Sequence, residues 1–143
     1  MLITLKTIEL LYLKKKLIKK VWDNSKLKCV STLEGHSNFV LCLKILSDGV
    51  RLASGSADKK IKVWSCDGAN QSKELQTLSG HSGWINSIEV TSLSTSQILS
   101  CSHDKTVKLW NLEDGTCIRT FQGHTEFVYC IRSNVDGKVI SGK

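Results

Sequence analysis

The sequence predicts an all-β chain assembled from copies of one four-stranded antiparallel unit. Three observations carry that prediction. First, an ordered set of residues recurs: Gly35-His36, Ser54, Asp58 and Trp64, then Gly80-His81, Ser100, Asp104 and Trp110. A third copy opens at Gly123-His124 and reaches Ser141; the His residues stand 45 and then 43 residues apart. Self-similarity at such a period marks a repeat architecture. Second, short runs that alternate apolar and polar residues lie between turn residues, as half-buried strands do. Third, no segment of residues 29–143 keeps a 3.6-residue apolar period over 11 residues, so helices are not expected there.

The first 20 residues stand outside the repeat. Leu2, Leu5, Glu9, Leu13 and Leu17 fall loosely on one helical face, whereas Ile3 and Leu5 alternate as strand residues would. An N-terminal helix and a strand both remain open. Val21-Trp22-Asp23 reads as the close of a copy without its polar partners, since Lys16 stands six residues before Trp22 and Tyr12 ten before it. Cys29 to Leu33 is a short strand leading to Gly35-His36.

The first full copy then runs strand by strand. Phe39 to Ile45 is apolar, with Val40 and Leu43 facing alike, and Ser47-Asp48-Gly49 turns the chain. Asp-Gly supplies the positive φ that hairpin turns need. Arg51 to Gly55 returns, Ala57 to Lys60 turns again, and Ile61 to Trp64 alternates. A loop through Asp67-Gly68-Ala69-Asn70 leads to the fourth strand, Glu74 to Leu78. The second copy repeats the plan at Trp84 to Val90, Ile98 to Ser102, Val107 to Asn111 and Cys117 to Phe121. The third has Phe127 to Arg132, the Asp136-Gly137 turn and Lys138 to Ser141. The chain contains no proline, so its turns rest on Gly, Asp, Asn and Ser.

The formal charge of +7 is unevenly placed. Eight lysines in residues 1–28 face only Glu9 and Asp23, which leaves the repeat body near neutral and without an electrostatic footprint for nucleic acid. Any basic surface belongs to the N-terminal segment. The six cysteines include no CxxC pair, and Cys42 and Cys130 hold matching places in two copies. They read as core thiols in a reducing compartment rather than as bridges or metal ligands. No run of 18 apolar residues spans a membrane, and the N-terminus lacks the order of a secretory signal.

A His, Ser and Asp that recur together invite comparison with a hydrolase. A triad needs one exposed nucleophile, a base, an orienting acid and an oxyanion site in a cleft. Here the set recurs once per structural unit, always with Trp, and no Gly-x-Ser-x-Gly elbow is present. The structural reading accounts for all four residue types. Indole only donates, hydroxyl donates and accepts, neutral imidazole does one of each, and carboxylate only accepts. A chain from Trp N–H to Ser, Ser to His and His to Asp is therefore complete in polarity. Buried networks of this kind specify geometry when every member is satisfied. The expected structural set is His36, Ser54, Asp58 and Trp64, with His81, Ser100, Asp104 and Trp110.

These residues resemble the WD-repeat family: Gly80-His81, Leu99-Ser100, His103-Asp104 and Leu109-Trp110-Asn111, with Gly35-His36, Ala53-Ser54 and Val63-Trp64-Ser65. The closing Trp-Asp is matched strictly only at Trp22-Asp23; Trp64-Ser65 and Trp110-Asn111 depart from it. The resemblance covers about residues 21–143, with repeats at about 24–64, 69–110 and an incomplete 112–143. It implies an incomplete β-propeller of four-stranded antiparallel blades, two full and two partial. Propellers close with typically 4–8 blades. A piece of a longer propeller is the favoured expectation, ahead of a truncated product or a chain that completes its propeller by self-association.

The resemblance also implies a non-enzymatic scaffold or adaptor that binds other proteins or peptides, without cofactor, metal or small-molecule substrate, in the cytoplasm or the nucleus. Family contact positions are the third and fifth residues after the His and the residue before the Asp. Carried over, they are Phe39, Leu41 and Ala57, then Trp84, Asn86 and His103, then Phe127 and Tyr129. An aromatic fills the third position in every copy, and aromatics are enriched at interface anchors; the same rings could equally pack as core. The alternative is an adaptor that meets RNA or a membrane through Lys14 to Lys28, which the neutral repeat body disfavours.

Overall fold

The computed structural model describes residues 19–23, 28–66, 72–92 and 94–143. Among the described residues it contains twelve strands and no helix. Two form a leading pair, β1 (Lys19–Asp23) and β2 (Lys28–Leu33). A first full sheet follows: β3 (Val40–Ile45), β4 (Arg51–Ser56), β5 (Lys60–Ser65) and β6 (Lys73–Ser79). The second comprises β7 (Ile85–Val90), β8 (Gln97–Ser102), β9 (Val107–Asn111) and β10 (Cys117–Phe121). A final pair holds β11 (Cys130–Ser133) and β12 (Val139–Gly142).

Each full sheet is an antiparallel meander in chain order. The first strands of successive units, β3, β7 and β11, lie side by side. The fold is therefore an arc of a β-propeller with two full blades and a half-blade on either side. In each blade the first strand starts one to three residues after the aromatic that follows the Gly-His pair. A register shift between Val40 and Cys42 pairs Val40 with Ser56 and Leu43 with Ser54. That bulge is why Val40 and Leu43 face alike despite their odd spacing.

Strand residues alternate between the two faces of a sheet, so each blade feeds two seams. Leu52 and Trp64 pack with Leu33 of the leading pair. Their chain neighbours Ala53 and Val63 face the other way, against Ile85, Ile88, Ile98 and Trp110 of the second blade. Leu99, Cys101 and Val107 of that blade turn in the same sense onto Val128 and Ile131. Gly55 lies where the blades come closest. A Cβ there would stand 2.6 Å from both Ile85 Cγ2 and Cys42 Sγ, so the next blade's isoleucine occupies the missing side chain's place.

The structure alters three expectations. Cys101 is buried and Cys42 is half-buried, and burial pushes both thiols up to about 12. Cys117 and Cys130, however, are exposed rather than core thiols. All five residues of β10 are exposed, because the β11–β12 pair meets the inner strands on that side of the second blade and no strand among the described residues covers β10. Second, Lys19 and Lys20, set outside the repeat by the sequence, belong to β1. The lysine run hid their alternation. The rest of the proposed N-terminal helix, like Lys14 to Lys16, lies outside the described residues. Third, Ala57 is buried beneath the turn and offers a partner almost no surface.

Candidate functional site

Two constructions use the repeated residues. The deeper one is the polar chain. In the second blade, Trp110 Nε1 donates to Ser100 Oγ over 2.8 Å. His81 Nε2 stands 2.7 Å from the same hydroxyl, and its Nδ1 stands 2.7 Å from Asp104 Oδ2. The first blade repeats this with Trp64 to Ser54 at 2.8 Å, His36 Nε2 to Ser54 at 2.7 Å and Nδ1 to Asp58 at 2.7 Å. The structure thus brings all eight residues of the expected set together. Trp64 is not directly opposite Ser54: it pairs with Leu52, while Ser54 pairs with Lys62. Ser and Trp share a sheet face two positions apart and meet diagonally.

Protonation follows from the surroundings. Burial pushes His36 and His81 below the usual imidazole value, and their aspartates only partly offset it. Burial alone would raise Asp104, but hydrogen bonds from the Thr106 hydroxyl and His81 bring it below the ordinary carboxylate value. Asp58 behaves alike, burial opposed by His36 and the Lys60 N–H. A neutral His beside an ionised Asp has its proton on Nδ1, so Nε2 accepts from the serine. Asp104 also accepts the Ser82 N–H at 3.0 Å, and Asp58 the Ser37 N–H at 3.0 Å. Gly80 at φ +156° lets the loop cross the indole; a Cβ there would lie 3.1 Å from Trp110. Ser100 is 0% exposed, so its hydroxyl has no path to a substrate. Among the described residues, no cluster of His, Cys, Asp or Glu could hold a metal ion.

The outer construction is aromatic. His103 is stacked between Phe127, at 4.3 Å and 10°, and Trp84, at 5.1 Å and 21°. Tyr129 meets His103 edge-on at 5.4 Å. Trp84 is 45% exposed, Phe127 42% and Tyr129 53%. Four carried-over contact residues from two neighbouring units therefore form one surface cluster. His103 N donates to Trp84 O at 2.9 Å, which fixes the turn under the rings. The first blade makes the same bond, Ala57 N to Phe39 O at 2.8 Å, with Ala in place of His. Phe39 is 48% exposed. Asn86 instead faces its neighbour unit, its Nδ2 donating to Val128 O at 2.8 Å. Leu41 is half-buried.

The sequence reading missed a second recurring pair. Lys62 Nζ donates to Thr77 Oγ1 at 2.9 Å and to Glu74 at 2.7 Å, and Lys108 Nζ donates to Thr120 Oγ1 at 2.8 Å. Lys20 sits opposite Thr32 in the same register. A lysine two residues before Trp22, Trp64 and Trp110 was the available signal. It also missed Glu89, which pairs with Lys44 of the first blade and approaches Arg132 of the next unit at 3.8 Å.

Comparisons with known proteins agree with this geometry. The family model "WD domain, G-beta repeat" matches residues 27–65, 72–111 and 115–143. The chain is 33% identical over 130 residues to the nuclear distribution protein PAC1 of Arthroderma otae, covering 85% of this chain and 28% of that protein. It is 29% identical over 111 residues to mitochondrial division protein 1 of Candida glabrata, covering 73% and 15%. It therefore spans less than a third of either relative. The crystal structure of the WD40 beta propeller domain of Doa1 superposes with a TM-score of 0.74 at 32% identity, over 87% of this chain and 40% of that one.

Proposed function

The chain belongs to the WD domain, G-beta repeat family, and from that premise we propose that it is a non-enzymatic scaffold that holds another protein or peptide on the aromatic end of its blades. The observation that carries the reading is the stack of Trp84, His103 and Phe127 with Tyr129 beside it. Rings ordered against each other lose little further entropy on binding, and aromatics are the commonest interface anchors. The buried polar chains serve as glue: they fix the loops from which those rings project. The Ser54 and Ser100 hydroxyls are each already held by an indole and an imidazole, which speaks against a nucleophile. The buried thiols suit a reducing compartment, and we place the protein in the cytoplasm, with the nucleus as the second choice.

The test is quantitative capture of binding proteins by the native chain and by a variant with Phe39, Trp84 and Phe127 changed to Ala. These side chains are exposed, so folding should be kept, as circular dichroism would verify. We expect partners to be lost at least about tenfold. A variant that retains every partner would remove this face from consideration.

A further inference from the structure

One seam of the molecule carries the pattern of a ligand for the other. Ala57 and His103 hold the same place in successive blades, each directly before the network aspartate. Their turns are built alike. Ala57 N donates to Phe39 O at 2.8 Å and His103 N to Trp84 O at 2.9 Å. The next N–H, of Asp58 or Asp104, meets the Ser56 or Ser102 hydroxyl at 3.0 and 3.1 Å. Lys59 and Lys105 then follow at φ 69° and 68°. The two Cβ atoms therefore leave the backbone in the same direction, and only the ring differs.

His103 uses that direction to enter between two rings, Trp84 of its own unit and Phe127 of the next. By the same relation Ala57 lies below the gap between Phe39 of its own unit and Trp84 of the next. Both walls of this gap are exposed, and Ala57, ending at Cβ, forms its floor. Among the described residues His103 is the one ring that Trp84 meets. It covers the indole face on the side of the third unit. The opposite face looks back over the turn of the first blade.

We infer that the gap between Phe39 and Trp84 receives one flat side chain of the bound protein or peptide. That side chain is an imidazole or aromatic ring, stacked there as His103 is stacked one blade on. The inference rests on the scaffold function proposed for the aromatic end, and it names what the partner must carry. Stacking between two parallel faces selects flat groups, because a branched aliphatic chain cannot meet both faces closely. The turns that bear the walls are fixed by the buried polar networks, so a guest finds them already ordered.

The probe is N-acetyl-histidinamide, with N-acetyl-leucinamide as control, titrated into the native chain at about pH 8, where free imidazole is neutral. Nuclear magnetic resonance should show saturable shifts of the Trp84 and Phe39 ring signals with the histidine probe. The leucine probe should bind at least about tenfold more weakly. Equal binding of the two probes, or no shift of these rings, overturns the inference on the native chain alone. Ala57→His then supplies the ring from within, and His103 shows that a turn of this build accepts the residue. In that variant the added probe should bind at least about tenfold more weakly than in the native chain. Undiminished binding overturns the inference as well.

Capture of binding proteins separates the gap from the face as a whole, since Ala57→His keeps Phe39, Trp84 and Phe127 in place. Partners lost from the triple Ala variant but held in full by Ala57→His would leave the aromatic end in use and overturn the ring in the gap. A triple variant that keeps every partner would instead bring down the scaffold function, and this inference with it.

Discussion

Leu78 and Phe121 hold the same place in successive repeats, two residues before a Gly-His pair. Yet Leu78 is 1% exposed and Phe121 39%. The same contrast separates the polar chains. His81 joins Ser100 and Asp104, and Ser100 also accepts an indole N–H, whereas among the described residues His124 joins Ser141 alone. A Cβ on Gly80 would press on Trp110; one on Gly123, with no indole beside it, would meet nothing within 4 Å. For Leu78 and Phe121 what differs is the neighbour; for the polar chains it is the motif, since the third copy carries the His and the Ser without the Asp and the Trp. In a stacked repeat, stability is a sum of unit terms and nearest-neighbour terms. The seam between the full blades collects both along its whole length, whereas the second blade's β10 collects only the first.

The sharpest way to break this contrast is to remove each histidine. His81→Ala leaves the Ser100 hydroxyl and the Asp104 carboxylate short of a partner inside the seam. That should cost about 2–4 kcal/mol in urea unfolding. His124→Ala removes one half-buried bond and should cost less than about 1 kcal/mol. Equal losses would mean that the carboxylate and the indole add nothing to the His–Ser contact.

A smaller effect tests how tightly the seam is fitted. Gly55→Ala sets a methyl group 2.6 Å from Ile85 Cγ2, and overpacking of this kind should cost about 1–3 kcal/mol. At the next seam the equivalent strand position carries Cys101, and the facing residue is the shorter Val128. The pairs Gly55–Ile85 and Cys101–Val128 trade volume across the gap. Ile85→Ala, which removes the Cγ2 that the new methyl meets, should therefore rescue part of the Gly55→Ala loss, read as positive coupling in a double-mutant cycle. Strict additivity would show that the two positions do not share the space.

The strand plan was legible in the sequence because turn residues and alternation are local. So were the eight network residues, since donor and acceptor counts admit few arrangements and the spacing recurs. The aromatic cluster was half legible. The third-position rings were visible, but the pairing of His103 with Phe127 depends on how two units lean together, which no single repeat encodes. Ala57 shows the converse: its place in the pattern matched a contact position, while its small side chain is covered by the turn. The exposure of Cys117 could not be read at all, because it depends on whether another sheet lies against β10, and among the described residues none does. Lys20 was set aside since a run of lysines reads as a solvated segment until Thr32 is seen opposite it.

The gentlest probe of the sealed seams is acid. Burial holds His36 and His81 below their unfolded value of 6.5, so between that value and the folded one the unfolded chain binds more protons. Their contribution is fully present above 6.5 and is lost as pH falls through the lowered folded values. Asp58 and Asp104 act in a separate window, present above 3.8 and lost below it. The melting temperature should therefore decline from pH 7.5 to 5 before any carboxylate titrates. Amide protection in β4 and β8, which carry the two serines, should weaken over the same interval. A melting temperature flat down to pH 4.5 would show that the imidazoles take up protons in the folded chain as readily as in the unfolded one, and that burial does not shift them.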